Sequence, residues 1–114
     1  TPKAWSDAGM AYDSTLGYAD LPGFRCGTCF EYPAFDIKTN QMLPLRIRPL
    51  VAMDCTVIAE RYLGLGSTEA AFEKFNDLKN KCKAVSGVFT LLWHNSYFCS
   101  PEDFSTYRRL LANV

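Results

Sequence analysis

The chain has 114 residues, 48% hydrophobic, 21% charged and 14% aromatic, proportions that suit one compact globular domain and exclude a disordered chain. Twelve basic residues balance twelve acidic ones, so no net field draws the chain toward phosphate backbones, and nucleic acid is not an expected partner. No apolar run approaches the roughly 18 to 20 residues of a membrane span, and the opening Thr1-Pro2-Lys3-Ala4-Trp5 has neither an initiator Met nor the shape of a signal peptide. A soluble piece of a longer protein is expected.

Residues 1–114 contain no repeat, low-complexity tract or linker and read as a single unit. In the first third, Asp13-Ser14-Thr15, Asp20-Leu21-Pro22-Gly23, Tyr32-Pro33 and Thr39-Asn40 punctuate short extended pieces at Ala11-Tyr12, Phe24-Arg25-Cys26 and Phe35-Asp36-Ile37. From Leu43 to Asp54 the chain first alternates, Leu45 and Ile47 against Arg46 and Arg48, and then turns apolar, with Pro49 interrupting any regular central ladder. An extended segment passing from half-exposed to buried is expected there. Thr56 to Leu63 reads as a short helix ended by Gly64 and Gly66.

The strongest periodicity predicts a helix from about Ser67 to Ser86, with Ala71, Phe75, Leu78, Cys82 and Val85 on one stripe. Ser67 or Thr68 caps its start, Glu69 complements the positive end, Lys79, Lys81 and Lys83 sit near the negative end, and Gly87 stops it. Val88 to Trp93 is a nearly continuous run of β-formers, the pattern of a parallel strand covered on both faces. Ser100-Pro101-Glu102-Asp103 opens a last helix with Phe104, Tyr107 and Leu111 inward. Helix, buried strand, helix is the rhythm of an α/β protein, in which chemistry gathers at the carboxyl ends of strands.

His94, the single histidine, follows Leu91-Leu92-Trp93 and so stands at a strand exit, where it is either a proton-transfer group or a histidine packed beside Trp93. Arg25, with Gly23 and Gly27 close by, suits two-pronged binding of a carboxylate or is a surface arginine in a loop. Asp54 ends an apolar run and needs a partner or a duty: a histidine, or the capping of the helix that follows. Asp13 is most simply a turn former.

The five cysteines, Cys26, Cys29, Cys55, Cys82 and Cys99, are odd in number and widely spread, which fits a reducing, cytoplasmic setting. Cys26-x-x-Cys29 is followed by a poor helix opening and lacks a second close pair, so two packed thiols are expected rather than a redox dithiol or a zinc site.

Three segments taken in order, Gly9-Met10-Ala11-Tyr12-Asp13-Ser14-Thr15, Gly23-Phe24-Arg25-Cys26-Gly27-Thr28 and Leu91-Leu92-Trp93-His94-Asn95, resemble the later half of a metal-dependent polysaccharide deacetylase of the NodB-homology type. The resemblance runs from about Ala8 to Asn95. It implies the C-terminal portion of an irregular (β/α) barrel, mostly parallel strands with a covering helix, and a parent that removes N-acetyl or O-acetyl groups from a sugar by metal-activated water. In it His94 would protonate the leaving amine, Asp54 would support that histidine, Arg25 would orient the catalytic base, and Asp13, Trp93 and Asn95 would contact substrate. The divalent metal, zinc foremost, would be held by ligands outside this chain, in the N-terminal half of the same domain, so no metal ligand is expected here and the isolated chain would be inactive. Gly27 and Asn95 depart from the proline and the acidic residue common in the family, and Met53-Asp54-Cys55 matches its motif only in part. A non-catalytic carbohydrate-binding or interaction module of the same fold is the alternative, and a cysteine-based zinc module a further one.

Overall fold

The computed structural model describes residues 1–112. It begins with an element the sequence reading missed, helix α1 (Pro2–Asp7), which buries none of its residues. Thr1 accepts a hydrogen bond from Ala4 N, and Pro2 occupies the first helical position, where its missing N–H costs nothing.

Strands β1 (Tyr12–Asp13), β2 (Tyr32–Asp36) and β3 (Gln41–Ile47) form one sheet in the order β1-β3-β2. β2 and β3 are an antiparallel hairpin, Tyr32 opposite Ile47 and Asp36 opposite Gln41, with a register shift between Pro33 and Phe35. Asp36 closes the hairpin by accepting from Lys38 N and Thr39 Oγ1, and Asn40 takes the left-handed conformation. Tyr32-Pro33, expected in a turn, lies inside β2 instead; Pro33 is tolerated because β2 is an edge strand and the ladder is already broken beside it. The alternation in β3 buries Leu45 and Ile47 with Ala34 in a small core of their own, and the strand ends before Pro49. Phe24-Arg25-Cys26 is a turn rather than an extended piece, since Gly27 N donates to Phe24 O and Gly27 has φ of 68°.

The second sheet is the parallel pair β4 (Ala52–Met53) and β5 (Leu91–Leu92), with Ala52 opposite Leu91 and Met53 opposite Leu92. β5 is parallel, as its composition suggests, but it is not covered on both faces: it has one strand neighbour, and Leu92 is 41% exposed. Helix α2 (Asp54–Ile58) is shorter and starts earlier than expected, because Ala59 turns extended at ψ 138°.

Helix α3 (Glu69–Ala84) is capped by Thr68, whose side chain accepts from Ala71 N, and buries Ala71, Phe75, Leu78 and Cys82 as the stripe predicts. Val85 falls at the cap and is 55% exposed. Ser86, not Gly87, adopts the left-handed conformation that stops the helix. Lys79 also departs from its expected place: it is buried, and its Nζ donates to Leu110 O and Ala112 O, both at 2.6 Å. It therefore caps the end of helix α4 (Pro101–Leu111) rather than its own.

α4 opens as the sequence implies, with Ser100 accepting from Asp103 N, but its inward face is rotated by about one residue. Asp103, Thr106 and Leu110 are buried while Phe104 and Leu111 are largely exposed. Asp103 is drawn inward because its carboxylate accepts from Ser67 Oγ and Cys99 N. The main core, Val51, Ala52, Val57, Phe75, Leu78 and Cys82 among it, lies between α3 and the β4–β5 pair. The described residues are thus a mixed α/β arrangement of two small sheets and packed helices with no closed barrel, and no helix among them is long and apolar enough to cross a membrane.

Candidate functional site

The parallel pairing of β4 and β5 decides the site. Asp54 follows the last residue of β4 and His94 stands two residues past the end of β5, so equal register brings both to the same ends of adjacent strands. Asp54 is fully buried. Its Oδ1 lies 2.7 Å from His94 Nδ1 and accepts from Cys55 N at 2.6 Å, while Oδ2 accepts from His94 N. A carboxylate can only accept, so Nδ1 carries the proton in this contact, and Nε2 is the ring atom left to give or take one. The His94 side chain remains 44% exposed.

Met53, not Asp54, occupies the capping position of α2, and the Asp54 carboxylate goes across the sheet to His94. The carboxylate thus serves both duties the sequence left open, pairing with His94 and accepting from Cys55 N in the first turn of α2.

The other sequence-predicted residues lie apart from this pair. Arg25 is exposed and its Nη1 donates to Gly17 O at 2.9 Å, without a hydrogen bond to Asp54 or His94. The backbone around it is tied to the strand starts, through Gly23 N to Val51 O and Val88 N to Cys29 O. Asp13 Oδ1 accepts from Thr15 N at 2.8 Å, closing its own turn. Trp93 packs among Phe75, Phe98 and Tyr107 and donates from Nε1 to Tyr97 O. Asn95 is exposed at the start of a 3₁₀ turn, Asn95–Tyr97, directly after His94.

Two residues that the sequence did not single out for this site belong to it. Cys55 offers a sulfur within 4.8 Å of ligand atoms of Asp54 and His94, the one group of three metal-capable side chains among the described residues. Tyr97 holds its ring 6.5 Å from the imidazole. Burial first, then the Asp54 charge, pushes the Cys55 thiol up, so it stays protonated and is a poor nucleophile at neutral pH. Burial, with Cys55 and Asp54 adding, raises Tyr97 likewise. Cys55 was legible only as a neighbour of Asp54; Tyr97 enters through the turn after His94, which carries no distinctive pattern.

Cys26 and Cys29 are both free thiols, the first half-buried and the second buried, in keeping with two packed thiols. Cys26 Sγ donates to Leu16 O, 3.9 Å away, whereas Cys29 is buried in the main core. Neither belongs to a three-ligand group, so the Cys26-x-x-Cys29 zinc module has no counterpart among the described residues.

The chain matches no protein-family model, no curated protein and no solved structure.

Proposed function

We propose that this chain is the proton-donating part of a carbohydrate deacetylase-like hydrolase, a portion of an irregular (β/α) barrel whose parent removes N-acetyl or O-acetyl groups from a sugar. The observation that carries the reading is the Asp54–His94 pair at the carboxyl ends of two parallel strands. In an amide hydrolysis the amine is a very poor leaving group until its nitrogen is protonated, and a positioned imidazolium, protonated on both ring nitrogens, can donate that proton. Buried Asp54 holds the ring and fixes Nδ1 as the donor toward itself, which aims Nε2 at the leaving nitrogen. Tyr97 and Cys55 border the same site, and the exposed Asn95 gives the rim a polar group for a sugar hydroxyl.

The divalent metal of such enzymes does not fit the residues present. His94 is the single histidine, and the carboxylate and Nδ1 that could join Cys55 around an ion are spent on one another. Metal ligands would come from outside this chain, as would the catalytic base, and Arg25, bonded to Gly17 O, makes no hydrogen bond to the Asp54–His94 pair. This chain's own part is therefore proton transfer and sugar contact.

Acetate release from N-acetylglucosamine oligomers, measured on the longest natural product of the same gene with and without a chelator, tests the reading. Release that is lost with the chelator and with His94→Ala supports it. A folded protein that binds the oligomers but releases no acetate with any added divalent metal overturns it in favour of a binding module.

A further inference from the structure

Cys29 and Cys82 lie away from the Asp54–His94 pair and are the two cysteines that the core buries. They are 53 positions apart in the chain and yet belong to one apolar cluster. The turn that ends α3 is clasped between them: Gly87 N donates to Cys82 O at 2.8 Å, and the next residue, Val88, donates from N to Cys29 O at 3.0 Å. A Cβ on Gly87 would fall 2.2 Å from Cys29 Sγ and 3.4 Å from Cys82 O. Glycine is thus required at position 87 because the Cys29 thiol occupies the space of its side chain, directly beside the Cys82 backbone. Burial first, and then the nearness of Cys29, pushes the Cys82 thiol up to about 12. Cys26, only three residues from Cys29, directs its Sγ to Leu16 O instead.

We propose that Cys29 and Cys82 are an oxidation site, at which a small-molecule disulfide such as oxidised glutathione joins them into an intramolecular disulfide that pins the 24–31 loop to the end of α3. One protein thiolate attacks a sulfur of the small disulfide, forms a mixed disulfide and releases the first small thiol. The second protein thiolate attacks the protein sulfur of that intermediate and releases the second small thiol. Two protein thiols lose two electrons and two protons, and the small disulfide gains both. Neither thiol is more than 5% exposed, so the oxidant gains access through local opening of the loop and the reaction is slow relative to that of exposed Cys99. Once closed, the bond restricts the unfolded chain across a long loop and raises thermal stability.

The test is to equilibrate the natural chain with oxidised glutathione at mildly alkaline pH, alkylate the remaining thiols under denaturing conditions, and map linked peptides by mass spectrometry. The expected result is a Cys29–Cys82 peptide with the mass loss of two hydrogens, together with an upward shift in Tm of roughly 10 °C that a reductant reverses. Cys82→Ala abolishes both. Where that core variant fails to fold, Cys26→Ser serves instead, since it removes the sequence-adjacent competitor and must leave the linked peptide in place. A Cys26–Cys29 peptide, glutathione adducts alone, or alkylation of all five cysteines overturns the proposal.

Discussion

Removing the Asp54 carboxylate should cost far more stability than removing the imidazole it holds. Asp54→Ala takes away the acceptor of three N–H groups: Cys55 N, His94 N and His94 Nδ1. The two main-chain donors are left in a part-buried site, each at about 1–3 kcal/mol, whereas the half-exposed ring can turn to water and loses little. The sum is about 2–6 kcal/mol, a large share of the roughly 5–15 kcal/mol by which a typical domain is stable. His94→Ala leaves the carboxylate with both main-chain donors and should cost only about 1 kcal/mol. Urea unfolding followed by circular dichroism measures both, with the slope held constant between variants so that midpoints report stability. Asp54→Ala no more destabilising than His94→Ala, or both below about 0.5 kcal/mol, would refute the claim that this carboxylate joins β4 to β5.

Lys79→Met keeps the stem of the side chain but removes both hydrogen bonds to the end of α4, so it should destabilise by about 2 kcal/mol, against less than about 0.5 for the exposed Lys81→Met in the same urea assay. Gly87→Ala drives a methyl into Cys29 Sγ and should cost about 1–3 kcal/mol, much of it recovered in the double variant with Cys29→Ala, as a double-mutant cycle would show. Hydrogen bonds from Arg48 and then Arg46 hold the Glu31 carboxyl below the usual glutamate range. A depressed carboxyl stabilises the fold above its unfolded value and loses that contribution as pH falls through the folded one. Acidification below about pH 4.5 should therefore lower the urea midpoint of the natural chain more than that of Glu31→Gln.

What could be read from the chain follows from how local each signal is. α3 was legible because Ala71, Phe75, Leu78 and Cys82 repeat at the helical period and Thr68 caps in place, and Ser100-Pro101 announced α4 for the same local reason. Its inward face was misread because hydrophobicity favoured Phe104 and Leu111, while the buried contacts of Asp103 with Ser67 and Cys99 turned the helix another way. Lys79 was misplaced for a similar reason: nothing in sequence says that the carbonyls it satisfies belong to residues 110 and 112. The Asp54 and His94 positions were visible as polar residues ending apolar runs, but their meeting depends on the parallel register of β4 and β5, forty residues apart. That Cys29 shares its apolar cluster with Cys82 is again a long-range fact that no local pattern carries.

The proposed donation of a proton by His94 to a leaving nitrogen can be measured by comparing His94→Ala with the natural sequence, in the longest natural product of the same gene, on an unactivated N-acetyl sugar amide and on an acetyl ester with a good leaving group. A positioned general acid is worth roughly a hundredfold or more where the leaving group needs its proton, and little where it does not. The expected result is a loss of kcat of about that size on the amide and a much smaller one on the ester. Equal losses on both substrates, or a change confined to KM, would contradict it and leave His94 as a residue that holds sugar or fold.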